Sequence, residues 1–250
     1  MARFAHFIDI WWCEAAAELG VGGVGLAVLG AAYGWRRLPR VLGGVAGALA
    51  LQHAFIWACR RRIGPERASP ADLITLSRGV CAALLVGLLT ARLRDRTGAA
   101  GWLAWAATVW AATLGDWLDG PLARRWGPTR LGGAMDIEAD SWVTLWSTAY
   151  AVFSHVLPSW CLLAPVVRYV HPVLDVRAGG LPLGGGPWWA RGSGAAQMGL
   201  VVLALAPAPI VWQRRWLTTV AAPISLGQLV VQLTLLARRL PPSAVGRRRR

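Results

Sequence analysis

GDWLDGPLARRWGPTRLGGAMDIEAD, residues 115–140, gathers five of the chain's twelve acidic residues into 26 positions. They are Asp116, Asp119, Asp136, Glu138 and Asp140, with an apolar segment on either side. A carboxylate inside lipid costs about 2.5–3.5 kcal/mol on insertion scales, so an apolar chain keeps one only where something offsets that cost. Asp116 and Asp119 are three apart, and Asp136 and Asp140 four apart, spacings that put each pair on one face of a helix. Between the pairs, Gly120, Pro121, Gly127, Pro128, Gly132 and Gly133 predict a chain reversal. A helix–turn–helix then brings both pairs together at the ends of two spans.

The rest of the chain supports that setting. Of its 250 residues, 56% are hydrophobic and 15% charged, with a mean hydropathy of +0.46; soluble domains carry about 25% charged residues. The composition is that of an all-α polytopic membrane protein, and the sixteen Trp suit membrane–water interfaces. Apolar runs read against breakers predict spans near 16–35, 41–59, 73–91, 100–118, 134–155, 157–173, 195–212 and 217–237. Phe4, Phe7, Ile8, Trp11 and Trp12 predict an interfacial amphipathic helix leading into the first span. Gly43 and Gly47 have the spacing for a close helix contact, and residues 178–189 read as a Gly/Pro-rich loop.

The net charge of +14 is carried entirely by Arg among the basic residues. It sits between apolar segments and at the C-terminus, where it orients helices and meets anionic headgroups rather than nucleic acid. With residues 119–133 on the cytoplasmic side, cytoplasmic segments hold 16 of the 26 Arg and the opposite side eight, while Arg78 and Arg168 fall inside spans. That bias predicts a protein integral to the plasma membrane with cytoplasmic termini and its acidic loop facing the cytoplasm. Cys13, Cys59, Cys81 and Cys161 show no metal or disulfide spacing and read as buried small residues. His53 and His155 read as structural, and Glu138 as turned away from Asp136 and Asp140 toward solvent or an Arg.

Four converging carboxylates are relieved by divalent metal, and an all-oxygen set suits Mg²⁺ or Mn²⁺; the competing reading pairs them with Arg124, Arg125 and Arg130. The pattern Asp116-x-x-Asp119-Gly120-x-x-Ala123-Arg124, seven residues, Gly132-x-x-x-Asp136-x-x-x-Asp140 resembles the signature of the CDP-alcohol phosphotransferase family. PADLITLSR, residues 70–78, is similar to the start of that family's first core helix at Thr75 and Arg78, with Asp72 where Asn is common. The resemblance implies a six-transmembrane-helix core, usually dimeric. It divides the chain into two extra N-terminal spans (1–67), a catalytic membrane domain (68–240) and a basic tail (241–250). It further implies an activity of EC 2.7.8 type: metal-dependent phosphatidyl transfer from CDP-diacylglycerol, or another CDP-alcohol, to an alcohol acceptor with release of CMP. Asp116, Asp119 and Asp136 would bind two metal ions, and Asp140 would act as general base and further metal ligand. Gly120, Ala123, Arg124, Gly132, Thr75 and Arg78 would meet the nucleotide and its diphosphate.

Arg168, a charge within an apolar span, and Arg191 are candidates to bind an acceptor phosphate; the alternative for Arg168 is snorkelling to the membrane edge. Two rival readings use the same acids. A UbiA-like intramembrane prenyltransferase would release pyrophosphate rather than CMP, and a cation-binding membrane protein would catalyse nothing.

Overall fold

The computed structural model describes residues 9–64, 66, 68–178, 187–207 and 211–239, with the side chains of all but Asp116, residues 211–215, Thr218 and Arg239. Every element among them is helical. The first rod is α1 (Ile10–Ala17) continued through a π turn, Glu18–Gly22, into α2 (Gly23–Tyr33). Then come α3 (Leu38–Ile63) and α4 (Pro70–Thr90). The next rod joins α5 (Ala99–Val109) to α6 (Gly115–Trp126) through a second π turn, Trp110–Leu114. It is followed by α7 (Arg130–Phe153), a 3₁₀ turn at Ser159–Leu162 leading into α8 (Leu163–Arg177), α9 (Trp188–Leu205) and α10 (Val211–Arg239).

Each expected span overlaps a helix or a joined pair, although 195–212 runs past the end of α9 at Leu205. Among the described residues, four stretches are long and apolar enough to cross a membrane: Ile10–Tyr33, Leu38–Ile63, Pro70–Thr90 and Thr219–Arg238. Large apolar side chains lie exposed around the bundle, among them Trp12, Trp35, Trp102, Leu203 and Val230. An outward apolar surface on this scale belongs against lipid. Phe4, Phe7, Ile8, the basic tail and most of the 178–189 loop lie outside the described residues.

Helix α4 is the axis of the fold. It is apolar nearly all round, as a fully enclosed helix must be, and packs against α1, α3, α6 and α7. Its approach to α3 depends on glycine, though not the expected pair. Gly43 and Gly47 face open space, whereas a Cβ on Gly44 would come 2.9 Å from Gly87 Cα, and one on Gly87 would come 2.9 Å from the Val41 carbonyl. Cys13, Cys59, Cys81 and Cys161 are free and buried, as small core residues are.

The predicted reversal is shorter than the glycines and prolines suggest. Gly120 and Pro121 lie inside α6, and Gly132 and Gly133 inside the first turn of α7. Only 127–129 break the helices, with Gly127 at φ 94°, a left-handed conformation that stops α6. Because α6 runs unbroken past Pro121, residues 116, 119, 120, 123 and 124 fall at i, i+3, i+4, i+7 and i+8, one face of a single helix.

The candidate acidic site at the α4–α6–α7 junction

Both N-termini that frame the site are capped by acids from outside their own first turns or shared between helices. Thr129 caps α7 by accepting the Gly132 N–H at 2.8 Å, and the Glu66 carboxylate accepts from Arg130 N at 3.0 Å and Leu131 N at 2.9 Å. These are backbone donors that a helix start otherwise leaves unpaired. Asp72 accepts the Ser69 N–H at the start of α4 (2.7 Å) and the Thr129 hydroxyl (3.0 Å), so one buried carboxylate ties the two helix starts together. Gly132 makes this possible. A Cβ there would collide with Asp72 Oδ1 and lie 2.6 Å from Thr129 Oγ1.

Six residues beyond Asp72 along α4, Arg78 reaches the acids. Its side chain is wholly buried, and its Nε donates to the Ala111 carbonyl at 2.8 Å, within the π turn that loosens the α5–α6 backbone ladder. Nη1 donates to Asp119 Oδ2 at 2.9 Å and to Asp136 Oδ1 at 2.5 Å, and Nη2 donates to Asp140 Oδ1. The other oxygen of Asp140 accepts from Arg168 Nη2 of α8 at 3.2 Å. Two glycines clear the way: a Cβ on Gly115 would come 2.9 Å from Arg78 Cγ, and one on Gly194 would come 2.6 Å from Arg168 Nη1.

The structure thus gathers Asp119, Asp136 and Asp140 as the spacing predicts, with Asp116 on the same face of α6. The acids do have a cationic neighbour, but it is Arg78 of another helix, where the competing reading had the loop arginines. Arg124 is exposed and lies over Gly120, and Arg125 lies over the Trp126 ring, 5.9 Å from its centroid. Arg78 lies beneath the acids rather than open to a nucleotide. Thr75 is also buried, its hydroxyl donating to the Ala71 carbonyl at 3.3 Å. Arg168 turns inward to Asp140 instead of snorkelling outward, and Arg191 is exposed in the first turn of α9. Glu138 points away from the other acids, but into the protein: it is 4% exposed, beside a small cavity lined by Gln52, Thr75 and Gly79. His53 is not without partners either, since it faces Glu14 and Glu18.

Sequence reading missed Gly115, Gly194 and Glu66. Spacing within one helix carries no record of a side chain crossing from another, so no signal in the chain identified them.

The donor set suits a hard divalent cation. Three carboxylates meet on one guanidinium and carry more negative charge than Arg78 and Arg168 return, before Asp116 is added. Asp136 and Asp140 are 43% and 34% exposed, which leaves an aqueous approach. The Arg78 guanidinium fills the gap between the oxygens, so ion binding there requires some of them to leave its Nη atoms; the Nε contact with Ala111 keeps the side chain in place meanwhile.

A family model described as CDP-alcohol phosphatidyltransferase matches residues 69–233, beginning at the residue that precedes α4. No curated protein and no solved structure matches the chain. The chain belongs to the CDP-alcohol phosphatidyltransferase family, integral membrane transferases of phospholipid synthesis.

Proposed function

We propose that the chain transfers the phosphatidyl group of CDP-diacylglycerol to an alcohol acceptor, releasing CMP, at the cytoplasmic face of the plasma membrane. The observation that carries this reading is the convergence of Asp119, Asp136 and Asp140, from α6 and α7, on the guanidinium of Arg78. Asp116, Asp119 and Asp136 are the residues that would hold Mg²⁺ or Mn²⁺, with Asp140 completing the set. What such an ion supplies is neutralisation of the donor diphosphate and of the departing CMP.

The protein's own residues do the rest. Gly120 and Ala123, one turn on from the α6 acids, leave room for the nucleotide against the helix, and Arg124 beside them presents a fork of donors suited to phosphate. Asp140 is the general base: its carboxylate takes the acceptor hydroxyl proton as that oxygen bonds to the lipid-bearing phosphorus and the bond to CMP breaks. Arg78 and Arg168 hold the two Asp140 oxygens in fixed directions. Arg168 also puts a positive charge beside the base, which favours an acceptor that carries a phosphate of its own. Arg191, on the exposed start of α9, is the second residue we assign to that acceptor. The catalytic unit is residues 68–240, with 1–67 an added pair of spans and 241–250 a basic tail.

Purified protein incubated with Mg²⁺, CDP-diacylglycerol and a panel of alcohols tests the proposal by CMP release. CMP should appear with at least one acceptor and fall about 10²–10⁴-fold in Asp140→Asn. Release of pyrophosphate from a prenyl diphosphate, with no CMP from any acceptor, would overturn it.

A further inference from the structure

Outside the signature, the α1–α3 contact holds a second group of ionisable side chains. Glu14 and Glu18 are four apart on the first rod, at the entry to its π turn, and His53 faces them from α3. One ligand atom from each of the three lies within 4.8 Å of the others. We propose that Glu14, Glu18 and His53 form a transition-metal site of the Zn²⁺ type, separate from the signature aspartates.

The imidazole is prepared for the role. Its Nδ1 is 2.7 Å from the Leu49 carbonyl, which can only accept, so Nδ1 carries the proton and Nε2 of the neutral ring presents a lone pair. A backbone carbonyl on the far nitrogen is how metal-ligating histidines are oriented. Nε2 stands 3.4 Å from Glu14 Oε2 and 3.6 Å from Glu18 Oε1. Ligands about 2.0–2.1 Å from a tetrahedral ion lie about 3.4 Å apart, so these separations are the edges of such a site.

The carboxylates call for a cation. Glu14 is 1% exposed, and neither its Oε2 nor Glu18 Oε1 has a hydrogen-bond partner. Like charges at this helical spacing repel. Gln52 donates to the other Glu14 oxygen at 3.4 Å and so orients that carboxylate, while Trp11 stacks on the His53 ring with centroids 5.7 Å apart. Gln52 can lie across α4 because residue 79 is glycine; a Cβ there would collide with its amide. The His53 and Glu18 side chains keep 41% and 29% exposure, which leaves a fourth position open. The Asp9–Arg60 ion pair at 2.7 Å marks the polar end of the same two helices, five residues or about 7.5 Å along the helix from Glu14.

Co²⁺ titrated into the metal-stripped, full-length protein in detergent is the probe, read by the visible absorption of four-coordinate Co²⁺. Wild type and Asp136→Asn should both show the band, and His53→Ala and Glu18→Gln should weaken Co²⁺ binding at least about tenfold. Both substituted side chains are partly exposed, so circular dichroism and elution volume should not change; if His53→Ala unfolds, Glu18→Gln decides. Wild-type affinity in Glu18→Gln, or no band in folded wild type, would overturn the proposal; the latter would mean that a protonated His53 alone balances the two glutamates.

Discussion

Asp119, Asp136 and Asp140 share the guanidinium of Arg78, whereas Glu14 and Glu18 face the imidazole of His53. Arginine stays charged at any pH a protein survives, so the first group is partly neutralised permanently. A histidine supplies charge only when protonated, so the second depends on a proton or an ion. The two regions also differ in how they are anchored. Arg78 is wholly buried and tied to the Ala111 carbonyl, and the α4 and α7 starts near it are interlocked through Asp72, Thr129 and Glu66. The His53 group sits at the edge of the bundle, with its imidazole partly exposed. The difference teaches that three acids brought together inside an apolar bundle are held by a fixed countercharge, whereas two at its edge are left to a titratable one.

Removing that countercharge should have the largest effect. Arg78→Met leaves three carboxylates without their shared partner, a class of change that costs about 3–5 kcal/mol. Thermal unfolding should show a loss of that order together with loss of CMP release, while His53→Ala leaves both nearly unchanged. A Met variant as stable as wild type would erase the contrast.

The glycines give the next largest effect and sharpen it. Gly132→Ala drives a methyl into Asp72 and Thr129, overpacking that costs about 1–3 kcal/mol. Gly120→Ala meets only the mobile end of Arg124 at 3.4 Å, so its stability should stay near wild type while turnover falls. Equal melting temperatures for the two variants would show that Asp72 does not need the space. Glu66→Ala uncovers the Arg130 and Leu131 N–H groups and should cost about 1 kcal/mol, the usual worth of an N-cap.

The smallest effect belongs to Asp9, at the edge of the second region. The Arg60 guanidinium hydrogen-bonded to it holds its carboxyl below the ordinary carboxylate value. A lowered folded-state pKa gives stability that is present above the unfolded value, about 3.9, and is lost as pH falls through the folded value. Asp9→Asn should therefore melt slightly below wild type at neutral pH and match it once the pH is below both values. A gap that persists in acid would assign the effect to something other than the ion pair.

Much of this was legible in residues 115–140. The spacing of Asp116, Asp119, Asp136 and Asp140 placed them on facing helices, and Asp119, Asp136 and Asp140 do meet, on Arg78. The turn was overread because Gly and Pro are breakers on average, yet Pro121 sits inside α6, which continues to Trp126. Arg78 was recognised as part of the site but not as the ion-pair partner of the acids, since its partners lie 41 to 62 residues away. Glu138 was read from its helical phase alone; that phase was right, and the face it points to is occupied by α3 and α4 rather than water.

The central claim is that the acids gathered on Arg78 are where the ion and the donor diphosphate bind. Mn²⁺ binding in the presence of a CDP-alcohol, followed by electron paramagnetic resonance in a His53→Ala background, tests it most directly. The account predicts that adding Asp136→Asn weakens Mn²⁺ at least about tenfold and abolishes the dependence on the nucleotide. Mn²⁺ bound equally well, and still enhanced by the CDP-alcohol, would contradict it.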